Sequence, residues 1–237
     1  GFRYLLSASS ALDSRMSFSG LRVEVCDFLL RGEKQVWMEN ADLSLLLDYH
    51  AGGVMRVLCH KPSAVNLLNA WRDDGEPSLG FLDCLLPNVD MNPVQIGLAL
   101  SLREYLRKDP YDYTISRSES GAEVQLLEEQ GFTVGGKKGV FRVEKDIALA
   151  PGMSGVSVKY TLANSTYMDS KCFFGSIFEF GLLGESGGRI VVDGFDLKWD
   201  GKSPVVYPEA KEMKIQDFGQ RCTVTMKLDS LAPDTAV

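Results

Sequence analysis

Residues 156–162 alternate between apolar and polar side chains, and this alternation is the feature that most limits how the chain can fold. Successive side chains of a β-strand point to opposite faces, so a period of two predicts a strand with one buried and one solvated face. The apolar positions are predicted to point inward and the polar ones outward: Val156, Val158, Tyr160 and Leu162 against Ser157, Lys159 and Thr161.

The same pattern recurs along the chain and predicts antiparallel β-structure throughout. Leu21–Cys26 and Gln35–Glu39 flank a turn at Arg31-Gly32-Glu33, and Leu43–Tyr49 and Val54–Cys59 flank a turn at Ala51-Gly52-Gly53, so each pair predicts a hairpin. Further strands are predicted at Tyr113–Arg117, Ala122–Glu128, Phe141–Ile147, Ser154–Leu162, Cys172–Leu182, Arg189–Val192, Phe195–Trp199, Glu212–Asp217 and Thr223–Leu228. Many short strands with little helix between them predict an all-β fold, a large antiparallel two-sheet β-sandwich.

Three segments depart from this pattern. Leu5, Ala8, Leu12 and Met16 recur at helical spacing, which predicts a short amphipathic N-terminal helix. Lys61–Gly80 is predicted to be an exposed loop. Residues 94–106 fit both a strand and a helix, with the strand slightly favoured. We therefore predict a helix and linker over 1–19, which we expect to lead toward an upstream domain, and one β-sandwich domain over 20–237.

Charge and cysteine content restrict the partners and the compartment. The formal charge of −7, from 32 acidic and 25 basic residues, disfavours nucleic acid and anionic membrane surfaces, which need a cationic patch. The five cysteines lie far apart without a paired two-residue spacing, so neither a zinc site nor a disulfide framework is predicted. We expect no cofactor and no bound metal. A reducing cytoplasm fits this cysteine usage, and no apolar run is long enough to span a bilayer.

Several short motifs, in their order along the chain, carry a resemblance to a known family. They are Phe2-Arg3-Tyr4-Leu5, Asp27 and Gly32, Val36-Trp37-Met38-Glu39-Asn40, Asp48-Tyr49-His50-Ala51-Gly52-Gly53-Val54, Asn66-Leu67-Leu68, Phe81-Leu82-Asp83, Val143-Glu144-Lys145-Asp146, the strand Val156–Asn164 and Phe178-Glu179-Phe180-Gly181. In this order they resemble the C-terminal β-sandwich of glycoside hydrolase family 57, the group of α-amylases and 4-α-glucanotransferases.

The resemblance implies a large sandwich similar to galactose mutarotase, and an accessory rather than a catalytic role. In that family a preceding barrel domain holds the nucleophile and the acid, so the implied partners are an upstream catalytic barrel in the same polypeptide and an α-glucan. Two departures bear on any polar site. Asn69–Gly75 replaces an arginine- and glutamate-rich segment, and Cys84 stands where the family tends to have histidine.

Two carboxylates are candidates for chemistry or for sugar contact. Glu179 lies between Phe178 and Phe180, an apolar setting that would suit a general acid, but alternation alone would place it on a solvated strand face. Asp83 lies between Leu82 and Cys84 in an apolar strand, and a buried structural hydrogen-bonding role is the alternative.

The remaining candidates are a loop tryptophan with polar neighbours and the two histidines. Trp71, Arg72 and Asp73 offer the aromatic and polar groups that bind sugars, although Trp71 could instead anchor the loop. His50 and His60 lie at positions predicted to be loops. A histidine beside a carboxylate would indicate a free-standing mutarotase-type enzyme, and the other alternative to an accessory domain is a purely structural interaction module.

Overall fold

The computed structural model describes residues 20–68, 78–87, 95, 109–134, 137–164, 172–181, 187–198, 205, 207 and 209–229, and their regular structure is almost entirely antiparallel β. The strands are β1 (Arg22–Cys26), β2 (Gln35–Glu39), β3 (Leu43–Asp48), β4 (Val54–His60), β5 (Val65–Asn66), β6 (Leu82–Pro87), β7 (Asp112–Ser118), β8 (Gly121–Val134), β9 (Lys137–Leu149), β10 (Val156–Asn164), β11 (Cys172–Ile177), β12 (Gly188–Val192), β13 (Phe195–Asp196), β14 (Glu212–Asp217) and β15 (Cys222–Lys227). The N-terminal helix predicted over 1–19 lies outside the described residues.

The strands belong to two compact units. The first unit contains a five-stranded sheet in the order β1-β2-β3-β4-β5, a four-stranded sheet in the order β10-β9-β8-β7, and the pair β6 and β11. The second unit contains one four-stranded sheet in the order β13-β12-β14-β15. A single domain over residues 20–237 stays a prediction.

Local chemistry explains the first hairpin, which was predicted correctly. The Asp27 carboxylate accepts hydrogen bonds from the backbone amides of Arg31 and Gly32 at 2.9 and 2.8 Å. Gly32 has a φ of +83°, a conformation that glycine adopts without strain. The turn returns the chain to β2, so that Val23 pairs with Met38.

Hydrogen bonds and close contacts join the sheets of the first unit. Asn40, 0% exposed, donates from Nδ2 to the carbonyls of Ala150 and Met153 at 2.7 and 2.8 Å. This side chain therefore ties the turn after β2 to the turn after β9. In a second contact, a Cβ added to Gly53 would lie 3.0 Å from Leu126 Cδ1, so the turn before β4 touches the inward face of β8.

Several predicted boundaries and burial assignments are wrong. Lys61–Gly80 is not all loop, because β5 pairs with β4 and Gly80 forms a bridge with Met55. The strand predicted over Cys172–Leu182 ends at Ile177, and the one predicted over Phe195–Trp199 ends at Asp196. Leu162, predicted to be buried, is 42% exposed, because β10 is the last strand in the order of its sheet.

Candidate functional site

A lysine stands in the inward row of β9. Phe141, Val143, Ile147 and Leu149 alternate with outward residues and are at most 7% exposed, and Lys145 occupies the central position of this row with 0% exposure. A buried ammonium is costly unless it is paired and hydrogen-bonded. Strand β9 therefore carries one charged group in an otherwise apolar inward row.

Asp83 on β6 is the partner of this lysine. Its Oδ2 lies 2.7 Å from Lys145 Nζ, and both side chains are 0% exposed. Lys145 Nζ also donates to the backbone carbonyls of Gly53 and Phe81 at 2.9 and 3.0 Å. An ammonium has three N–H donors, and these three acceptors use all of them.

Three hydroxyl groups complete the shell around Asp83. Tyr111 donates to Oδ2 at 3.1 Å, and Tyr160 and Ser176 donate to Oδ1 at 2.7 and 3.1 Å. Burial raises the pKa of Tyr160 well above its ordinary value, and the Asp83 charge adds to this effect. The phenol therefore stays protonated and can donate to the carboxylate. We call Asp83, Lys145, Tyr111, Tyr160 and Ser176 the buried ion-pair network.

This network holds three sheets of the first unit together. Asp83 and Ser176 come from the β6 and β11 pair, Lys145 and Tyr160 from the four-stranded sheet, and Gly53 from the turn that precedes β4. Because both charges have full sets of partners, removing either one leaves the other buried and uncompensated. The arrangement can fix the geometry between the sheets, but it offers no hydrogen-bonding position on Asp83 for a reacting group.

Glu179 does not lie on an alternating strand, as the sequence suggested, but two residues after the end of β11. Its Oε2 accepts the backbone amide of Leu79 at 3.0 Å, and its own amide donates to the Leu79 carbonyl at 2.9 Å. The side chain is half-buried. Glu179 thus fixes the approach of the chain to β6. The phenylalanines on either side of Glu179 belong to an aromatic cluster. The centroid of the Phe178 ring lies 5.0 Å from that of Phe81 and 4.4 Å from that of Phe180.

The two histidines lie in different places and have different neighbours. His50 is in a single turn of 3₁₀ helix, Tyr49–Ala51, with its ring 4.2 Å from that of Tyr49. His60 is the last residue of β4 rather than a loop residue, and its Nδ1 is 2.7 Å from Ser63 Oγ. Within the described residues, neither histidine forms an ion pair or a hydrogen bond with a carboxylate.

The remaining predicted site residues are outside the part of the chain that the structure describes: Trp71, Arg72 and Asp73. In the described ranges, no three or more histidine, cysteine, aspartate or glutamate side chains are grouped so that they could hold a metal ion. Across the same ranges, no helix has the length and apolar character needed to cross a membrane. Of the cysteine side chains that the structure describes, Cys26, Cys59, Cys84 and Cys222 are free thiols, and Cys59 and Cys84 are buried.

A second buried polar cluster lies on the five-stranded sheet, and sequence reasoning did not identify it as such. The Glu39 carboxylate is 3.0 Å from Lys61 Nζ and 2.5 Å from Arg22 Nη1. The side chains of Glu39 and Lys61 are 5% and 2% exposed. Glu39 also accepts a hydrogen bond from Ser44 on the neighbouring strand. This cluster stabilises the edge of the sheet where β1, β2 and β3 are adjacent.

Lys145 was also absent from the predicted site residues, although the sequence contained a signal for it. In residues 141–149 the odd-numbered positions are apolar except Lys145. A charged residue in the inward row of such a strand requires a buried counter-charge. Asp83, in an equally apolar strand, is the aspartate that supplies it.

Comparison with known proteins adds information about the fold. No protein family matches the sequence, and no curated protein matches it. Among solved structures, the chain is similar to 4-α-glucanotransferase from Thermococcus litoralis, with a TM-score of 0.66 and 18% sequence identity. The similarity covers 97% of this chain and 34% of that one, so this chain spans about a third of that enzyme's length. At this identity the likeness shows a shared fold.

Proposed function

We propose that this chain is the accessory β-sandwich domain of an α-glucan-processing enzyme of the 4-α-glucanotransferase or α-amylase type. In this proposal the domain has the galactose mutarotase-like sandwich of glycoside hydrolase family 57. It supports a catalytic barrel in the same polypeptide and also contacts the glucan. The observation that carries the proposal is the shared fold, which extends over 97% of this chain and only 34% of the 4-α-glucanotransferase chain.

The buried ion-pair network supports an architectural rather than a catalytic role for the motifs of the family resemblance. Asp83, Lys145 and Tyr160 come from three separate motifs and make contact with one another. Retaining glycoside hydrolysis needs two carboxyl groups about 5 Å apart across a sugar. Asp83 is instead fully hydrogen-bonded and paired with a lysine, which suits a residue that holds sheets together.

The alternative of a free-standing mutarotase-type enzyme has less support. That chemistry would need a histidine next to a carboxylate at a sugar site, whereas His60 contacts Ser63 and His50 lies against Tyr49. A purely structural interaction module differs from our proposal mainly in lacking glucan contact. The free buried cysteines agree with the reducing cytoplasm that we propose as the compartment.

The proposal is tested by the reading frame upstream of Gly1 and by activity. We expect that segment to encode a barrel with two catalytic carboxylates. The two parts expressed together should disproportionate maltooligosaccharides, measured by chromatography of the products, and the 237-residue chain alone should not. Disproportionation by the chain alone, or an upstream frame without a barrel, would refute the assignment.

A further inference from the structure

The inner layer of the first unit is open along β10. Val143 on β9 is 0% exposed, yet its register partner on β10, Leu162, is 42% exposed. Adjacent strands are only about 4.8 Å apart, so burial is lost within one strand spacing. Val158 and Tyr160 in the same inward row are half-buried. Side chains that alternation directs into the core therefore reach solvent here.

Residues of strand β11 contact this exposed part of β10. The Phe174 ring lies 5.2 Å from the Tyr160 ring at an interplanar angle of 59°. Ser176 faces inward, because its Oγ bonds to Asp83 Oδ1, and it is nevertheless exposed. Its Oγ is also 2.9 Å from the Tyr160 hydroxyl. We call the surface formed by Tyr160, Leu162, Phe174 and Ser176 the β10–β11 seam.

The charge of the seam favours an uncharged ligand. Asp83 lies beneath the two hydroxyl groups, but Lys145 at 2.7 Å neutralises it. A bound cation would be repelled by Lys145, which lies behind the Asp83 carboxylate. A bound anion would be repelled by the carboxylate itself. The groups that line the seam are aromatic rings and two hydroxyl oxygens, which can accept hydrogen bonds while their own protons are donated to Asp83.

We propose that the β10–β11 seam is a binding site for a neutral saccharide. The C–H face of a sugar ring packs on Phe174 and Tyr160, while its hydroxyls donate hydrogen bonds to the hydroxyl oxygens of Ser176 and Tyr160. Leu162 extends the apolar surface along β10. The choice of an α-glucan as the saccharide rests on the proposed function.

Calorimetric titration of the 237-residue chain with maltoheptaose tests this site. Removing an aromatic platform should weaken binding by about two- to twelve-fold, so Phe174→Ala should lower the affinity by this factor. Phe195→Ala is the matched control, since Phe195 lies on β13 in the second unit and is 75% exposed. It should leave the affinity unchanged. Circular dichroism melting curves check that both variants fold.

A second variant covers the case in which Phe174→Ala fails to fold. Leu162→Lys alters a side chain that is already 42% exposed and should weaken maltoheptaose binding while preserving the melting temperature. Unchanged affinity in the folded seam variants would overturn the site, as would a wild-type chain that releases no heat of binding. These results would refute the binding site alone. The proposed function is tested separately, by the presence of an upstream barrel and by the activity of the two parts expressed together.

Discussion

Replacing Lys145 by methionine removes one charge from the buried ion-pair network and keeps a side chain of similar length. At 2.7 Å and an effective dielectric of about 20, the attraction to Asp83 is about 6 kcal/mol, and desolvation of the two ions offsets much of it. The variant also leaves the Gly53 and Phe81 carbonyls without this donor. Breaking a buried pair costs about 3–5 kcal/mol, and we expect the free energy of unfolding to fall by that amount.

Urea denaturation followed by circular dichroism measures this loss. Lys159→Met is the matched control, because Lys159 is an exposed, outward residue of β10 and the same substitution there should change stability by less than about 0.5 kcal/mol. Adding Asp83→Asn to Lys145→Met should recover part of the loss, since no uncompensated charge then remains buried. A loss below about 1 kcal/mol in Lys145→Met would refute the idea that the pair holds the sheets together.

Three other perturbations follow from the packing. Gly80→Ala should destabilise the protein by about 1–3 kcal/mol in thermal melts, because the new Cβ would lie 2.8 Å from the Phe178 ring. Gly155→Ala is the control and should be nearly neutral, since no atom lies within 4 Å of the Cβ added there. Asn40→Ala should lower the free energy of unfolding by about 1–3 kcal/mol, because the Ala150 and Met153 carbonyls lose the amide that donates to them. A loss under about 0.5 kcal/mol, the size expected of a surface substitution, would contradict this. Burial raises the pKa of the Cys59 thiol from 9.0 to about 12. Between pH 9.0 and about 12 the folded protein therefore keeps a proton that the unfolded chain loses, so the free energy of unfolding falls as the pH rises. Cys59→Ala should remove up to about 1.4 kcal/mol per pH unit of that slope in urea titrations, and an unchanged slope would contradict the assignment.

Alternation and turn chemistry predicted most of the strands, because both are local properties. The first two hairpins appeared where turn signals separated alternating runs, and β14 has the predicted bounds, Glu212–Asp217. The errors occurred where contacts distant in sequence decide the structure. Gly80 becomes part of a bridge because Met55 lies beside it. Leu162 is exposed because its strand is last in the sheet order.

The candidate site shows the same division between local and tertiary information. The sequence singled out Asp83 and Glu179, and the structure describes both, but it joins only Asp83 to a network with groups from other strands. The separation of Asp83 and Lys145 along the chain gives no local signal of their contact. A lysine in an apolar row does indicate that a counter-charge is needed, but it does not say which carboxylate supplies it.

The sequence by itself determined the β-structure of this protein, since a period of two and glycine turns act over a few residues. The tertiary structure decided which faces are covered, that one lysine and one aspartate meet in the interior, and that the inner layer opens between β10 and β11. The physical reason is that burial and charge pairing depend on how strands from separate parts of the chain stack, and the free energy of that stacking is not a property of any single segment.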